Sequence, residues 1–347
     1  MTEKPGTPDA GLAGGAAGAE VPASANSVEA KAPEGLVGPG ESKTPSAGKL
    51  ASYWQLARPF TLLAPAVGMV SGAVMELGAS GGMVWSGVTM VRLSLGALVG
   101  ILLNAASNGL NQIYDLEGDR INKPGRPLPR GALTVREAWW FMLACGGGAL
   151  GLAAGLSRQC FVVVLAGALA VCAYSAPPLR TKRHWLASNL TIAAARGLLL
   201  IAAGWSVTGN VFSGPGWWEP WLVGLLFGLF LLGAASTKDF SDVPGDRAMG
   251  CVTLPIRFGV EKAATLMLPS FILPFLLLIL AAQKGWIGAD RTMASTLGSV
   301  LALWGAYVAY LIRRRPDDLA RENHPSWGHM YLMLMTFQVG LAVAYLR

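Results

Sequence analysis

The chain has 347 residues, of which 53% are hydrophobic and only 14% charged. That charge content is too low to cover a water-soluble globule of this length, so lipid is the main solvent and a soluble enzyme is excluded. The net charge of +7 is concentrated in loops between apolar runs, which reads as membrane topology and excludes a nucleic-acid partner.

Residues 1–49 are rich in Gly, Ala, Pro, Ser and Glu, with almost nothing large to bury. Such a segment cannot offset the entropy of ordering and reads as a disordered N-terminal tail. It lacks the apolar core of a secretory signal, and Glu3, Asp9, Glu20, Glu29, Glu34 and Glu41 argue against a transit peptide. Residues 50–347 read as one membrane domain.

Apolar runs at 60–77, 92–113, 137–156, 161–175, 186–207, 219–237, 264–282, 295–312 and 329–346 predict nine transmembrane helices in an all-α, multi-pass fold. The loops after the second, fourth, sixth and eighth helices carry sixteen Lys and Arg residues, whereas the opposite loops carry only Arg92, Arg158, Lys284 and Arg291. By the positive-inside rule the N-terminus is cytoplasmic. Cys145, Cys160, Cys172 and Cys251 are scattered, and His184, His324 and His329 form no cluster, so no thiolate or imidazole site is expected.

The second helix ends in Asn111-Gln-Ile-Tyr-Asp115-Leu-Glu-Gly-Asp119-Arg120. Residues four apart share a helix face, so Asn111, Asp115 and Asp119 are expected to form an oxygen-bearing strip about 12 Å long. The sixth helix ends in Lys238-Asp239-Phe-Ser-Asp242-Val-Pro-Gly-Asp246-Arg247, where Pro244 is expected to break the helix and leave Asp246 on a loop. The two segments share Asp, Gly, Asp and Arg at identical offsets, and an even number of helices apart they face the same, cytoplasmic, side. Two carboxylate clusters at helix C-termini demand cations, and hard oxygen donors without thiolates or clustered imidazoles select Mg2+. The neighbouring Lys and Arg suit phosphate oxygens. Arg196, inside the fifth apolar run, is expected to face a cavity.

At these residues the chain resembles the UbiA superfamily of intramembrane prenyltransferases. The likeness covers residues 50–347 and rests on both motifs, on Ile121-Asn-Lys-Pro-Gly-Arg-Pro-Leu-Pro129, on Arg58-Pro59, and on Tyr174-Ser175 leading into Pro178-Leu-Arg-Thr-Lys-Arg183. It departs at Pro244, where many relatives carry Glu. The resemblance implies nine helices around a central cavity, with the motifs facing each other across its cytoplasmic mouth. It implies Mg2+ held by Asn111, Asp115, Asp119, Asp239 and Asp242, a prenyl diphosphate held by Arg58, Lys123, Arg126, Arg180, Lys182 and Lys238, and a cavity lined by Tyr174 and Arg196. Within that frame Asp246, with Asp242, is the catalytic carboxylate that activates the acceptor. The acceptor is an aromatic or lipid molecule, and the wording around Asn111-Gln112 and Thr237-Lys238-Asp239 leans towards quinone- and tocopherol-type precursors.

Three rival readings differ in testable ways. A prenyl-diphosphate cyclase on the same fold would need no separate acceptor. An ion-coupled transporter would carry its acidic residues near the bilayer midplane. A CDP-alcohol phosphotransferase would concentrate its aspartates in one D-G-x-x-A-R region, which this chain lacks.

Overall fold

The computed structural model describes residues 48–81, 85–320 and 324–347. The expected disordered tail at 1–49 lies, up to residue 47, outside the described residues. Among the described residues the chain is helical, with a single isolated bridge between His184 and Val252 in place of any sheet.

A short surface helix, α1 (Lys49–Ala57), leads into eight helices long and apolar enough to span a bilayer: α2 (Pro59–Ala79), α3 (Gly87–Tyr114), α5 (Val135–Leu156), α6 (Arg158–Ser175), α7 (Trp185–Trp205), α8 (Glu219–Phe240), α11 (Val260–Lys284) and α12 (Arg291–Arg314). Three short helices interrupt them: α4 (Leu116–Asn122), α9 (Val243–Ala248) and α10 (Leu254–Phe258). The ninth expected span is present as α13 (Pro325–Tyr345), whose 21 residues reach about 30 Å, although His329 and Gln338 dilute its apolar character. Each apolar run of the sequence thus corresponds to one long helix.

The outward faces are apolar. Leu303, Leu169 and Trp140 are 75%, 62% and 63% exposed, which only a lipid solvent tolerates at this density. Inside, Phe227 of α8 stacks on Phe337 of α13 with centroids 3.8 Å apart, and Phe275 of α11 meets Phe337 edge-on. This aromatic knot locks the second half of the bundle.

Helix α7 departs from regular winding in one place. Ala194–Leu198 forms a π turn, a widening that recurs at functional sites because it re-aims one side chain. Its backbone is pressed onto the Gly224-x-x-x-Gly228 face of α8. A Cβ on Gly197 would lie 2.3 Å from the Gly228 nitrogen, and one on Gly224 would lie 2.7 Å from the Leu198 oxygen. Small residues here allow two backbones to touch, the usual device for close helix pairs in lipid.

Candidate active site

The two acidic motifs fold as near copies. Helix α3 stops at Tyr114, Asp115 takes φ −101° and ψ 8°, and α4 begins at Leu116. In the second motif Asp242 takes φ −95° and ψ 1°, and α9 begins at Val243. Two sequence expectations are corrected. The strip of Asn111, Asp115 and Asp119 is not one helix face, because the chain turns at Asp115 and carries Asp119 on α4. Asp246 is not on a loop: Pro244 occupies the first turn of α9, where a missing N–H is harmless, and starts that helix.

The reason for the short helices is their mutual packing. Gly118 and Gly245 meet at the crossing, where a Cβ on Gly245 would sit 2.7 Å from the Gly118 oxygen. Asn122 clamps the pair: its Nδ2 donates to the Asp242 carbonyl at 2.9 Å and its Oδ1 accepts from the Gly245 N–H at 2.9 Å. Asn122 stands within the 121–129 segment, but no local pattern points to this bridging task.

Together the motifs wall a polar basin of about 120 Å³, lined by Asp115, Asp119, Asp239, Asp242 and Asp246 with Asn111, Arg58, Lys123, Arg126, Lys182 and Lys238. Cations alternate with carboxylates. Lys123 pairs with Asp242 at 2.7 Å, Arg126 with Asp119 at 2.5 Å, Lys182 with Asp115, and Lys238 lies 3.9 Å from Asp239. Asp246 is the one carboxylate of the five with no ion pair among the described residues. Arg180 does not line the basin. It stands behind Asp115, 3.6 Å from its Oδ1, and donates to the Tyr114 carbonyl.

Burial pushes the Asp246 carboxyl up to about 6, with Lys238 and Lys182 opposing and Asp242 and Asp115 adding to the rise. Burial likewise raises Asp119 against the pull of Arg126. Burial also works upward on Asp242, but Lys238 and Lys123 outweigh it and hold the group below its ordinary value. For Arg58, burial and the nearby charges of Arg126 and Arg196 bring the guanidinium down to about 10, still ionised at neutral pH.

Several buried polar atoms facing this region lack a directed hydrogen bond: Asp115 Oδ1, Thr253 Oγ1 and Trp327 Nε1. Asp115 Oδ1 is held by charge contact alone, and all three residues line the basin. Thr253 and Trp327 carried no sequence signal, because a lone Thr in a loop and a Trp near a helix start are common. Among the described residues no three Asp, Glu, His or Cys side chains converge into a ready-made metal cage. The donor set still fits a hard cation that arrives with an anionic ligand. It consists of oxygens only, and four of its five carboxylates are paired with side chains that a polyanion would draw away.

Beneath the basin a second cavity of about 240 Å³ runs into the bundle, walled by apolar residues such as Met69, Val99, Leu103, Val163 and Leu200. Arg58, Asn111, Tyr174 and Lys238 line both spaces and so form the neck between them. Arg196 lines the apolar chamber only.

The neck is held by an amide ladder that sequence reading missed. Asn108 Nδ2 donates to the Ala57 carbonyl at 2.8 Å and to Thr61 Oγ1 at 2.9 Å, Asn104 Nδ2 donates to the Thr61 carbonyl, and Gln112 Nε2 donates to the Leu56 carbonyl. These bonds fasten α3 to the α1–α2 joint, where Arg58 adopts a left-handed φ of 55°. Among the described residues Arg180 is the other non-glycine residue with positive φ, at 36°. Such conformations persist only where surrounding contacts fix them, and they gather at functional sites. The spacing 104, 108, 112 within an apolar run was the available signal.

A family model described as the UbiA prenyltransferase family matches residues 62–337. Homogentisate phytyltransferase of Synechocystis sp. is 30% identical over 217 residues, which cover 61% of this chain and 70% of that protein. The chloroplastic homogentisate solanesyltransferase of Arabidopsis thaliana is 33% identical over 66% of this chain and 61% of its own length. Digeranylgeranylglyceryl phosphate synthase of Methanococcus aeolicus is 28% identical over 84% of this chain and 98% of its own. Among solved structures, a UbiA homolog from Archaeoglobus fulgidus bound to GPP and Mg2+ superposes with a TM-score of 0.66 at 20% identity, over 85% of this chain and 99% of that one. With the family model covering most of the chain, the protein belongs to the UbiA prenyltransferase family and is a multi-pass membrane enzyme of prenyl transfer.

Proposed function

We propose that the chain moves a prenyl group from a prenyl diphosphate to an aromatic or lipid acceptor, with Mg2+ as its cofactor and with the basin on the cytoplasmic side. The observation that carries this reading is the neck, where a highly charged basin opens directly onto an apolar chamber. A prenyl diphosphate has that same polarity: two phosphates at one end and a hydrocarbon chain at the other.

In this reading Asn111, Asp115, Asp119, Asp239 and Asp242 hold the metal, which when bound supplies divalent charge to the departing diphosphate. Lys123, Arg126, Lys182 and Lys238 leave their carboxylate partners for phosphate oxygens and, with Arg58, stabilise the charge that develops as the allylic carbon–oxygen bond breaks. Arg180, from behind, fixes Asp115. The chamber keeps water from the prenyl cation. Asp246, unpaired and close to neutrality in its titration, takes the proton that the acceptor loses as its new bond forms.

The test is protein in lipid nanodiscs with Mg2+, labelled prenyl diphosphates of several lengths, and aromatic or glyceryl phosphate acceptors. Acceptor-dependent diphosphate release supports transfer, acceptor-independent cyclic products indicate a cyclase, and no release from any donor rejects both. For Asp246 the ionised form is the competent one, so kcat/KM is expected to fall as pH drops below about 6, a limb that reports the free enzyme. Because the charge of a divalent cation in the basin would oppose protonation of the nearby Asp246, raising Mg2+ should move the limb to lower pH. A profile flat from pH 7 to 5 removes Asp246 from the role. Cytoplasmic placement of the basin is tested with a cysteine introduced at Arg120, which should react with impermeant reagents only from the cytoplasmic side.

A further inference from the structure

Three cations line the apolar chamber: Arg58, Lys238 and Arg196. Arg58 and Lys238 also face the basin and have carboxylates within reach. Arg196 does not line the basin, and no hydrogen bond or ion pair forms to its side chain among the described residues. Its side chain lines the chamber and keeps much of its surface accessible. The titratable groups that sense its charge are Arg58, itself a cation, and Tyr174, a phenol at the neck.

An unpaired guanidinium inside a membrane bundle is expensive, and here the backbone is built to present it. The π turn turns Arg196 towards the chamber, and Gly197, seated on Gly228, leaves that turn no room to relax. A neutral hydrocarbon chain gains nothing from such a group. A prenyl carbon acquiring positive charge at the neck is opposed by it, unless an anion stands with Arg196 during the reaction. The diphosphate cannot be that anion while it occupies the basin.

We propose that Arg196 is the counter-ion for an anionic group of the acceptor, a carboxylate or a phosphate monoester, which enters the chamber as an anion on the lipid side of the neck. The proposal rests on the prenyl-transfer reading of the site and names the acceptor class within it. Its planar fork suits either anion in a two-point contact, and pairing there leaves the rest of the acceptor to reach the neck beside Tyr174 and Asn111.

The experiment measures equilibrium binding to the full chain in nanodiscs with Mg2+, without turnover. Homogentisate is compared with its methyl ester, and an alkylglycerol phosphate with the unphosphorylated alkylglycerol. Wild type is expected to prefer at least one anion over its neutral partner by about tenfold or more, and which pair shows it distinguishes carboxylate from phosphate. Arg196→Gln should erase the preference and Arg196→Lys should keep part of it, while affinity for geranyl diphosphate stays within about threefold. Unchanged geranyl diphosphate binding also shows that the variants fold. The proposal is overturned if Arg196→Gln keeps the anion preference, if wild type prefers neither anion, or if geranyl diphosphate affinity falls in parallel, which would place Arg196 on the donor. Failure of wild type to bind geranyl diphosphate would instead count against the prenyl-transfer reading, since the anion comparison is read without a donor.

Discussion

Asp115→Asn is expected to lower kcat/KM by about 10³-fold, at the upper end for loss of one charge-stabilising group in an enclosed site. The substitution keeps shape and removes one negative charge at the point where Lys182 and Arg180 both converge and where Oδ1 has no directed hydrogen bond. The loss should appear in steady-state diphosphate release and should be only partly recovered by raising Mg2+. Asp242→Asn, the matching position in the second motif, is expected to behave alike, because Lys123 and Lys238 hold that carboxylate ionised. Since the two act as one clamp, the double variant should be little worse than either single one. Asp119→Asn should cost only about tenfold, because burial already works against its charge and Arg126 satisfies it. A loss below tenfold for Asp115→Asn would reject the central place given to that residue.

The spans were legible because run length maps directly onto bilayer thickness, and π winding, 3-10 ends and Pro59 at the start of α2 do not alter that count. The acidic motifs were legible as a pair for the same kind of reason, a repeated local pattern. What was hidden depends on contacts between distant segments. Tyr114-Asp115-Leu116 reads as unbroken helix, and the turn there exists because α4 must lie across α9. Pro244 reads as a stop, though proline serves equally as a start, and only the register of Asp242 before it decides. The left-handed backbone of Arg58 runs against the usual preference of a residue preceding proline for extended geometry, and the ladder from Asn104 to Gln112 supplies what holds it.

The crossing of α4 and α9 makes the second large prediction. Gly245→Ala adds a Cβ 2.4 Å from Asn122 Nδ2 and 2.7 Å from the Gly118 oxygen, where one neighbour is a side-chain tip and the other is backbone. The tip can turn away, but only by surrendering its bonds to the Asp242 carbonyl and the Gly245 N–H. The backbone cannot yield without parting the two helices that carry Asp115 and Asp119 on one side and Asp242 and Asp246 on the other. A displacement near 1 Å in a positioned site is worth about 10²-fold in rate, and overpacking adds about 1–3 kcal/mol of instability. Gly245→Ala should therefore lose about two orders of magnitude in kcat/KM and melt earlier, whereas Gly147→Ala on α5, with open space around it, should do neither. Asn122→Ala removes the nearer obstacle and, by itself, the clamp. Combined with Gly245→Ala it should give less than the sum of the two losses, because they share one contact. Simple additivity would mean that Asn122 and Gly245 act independently, and that something other than this crossing sets the spacing of the two acidic motifs.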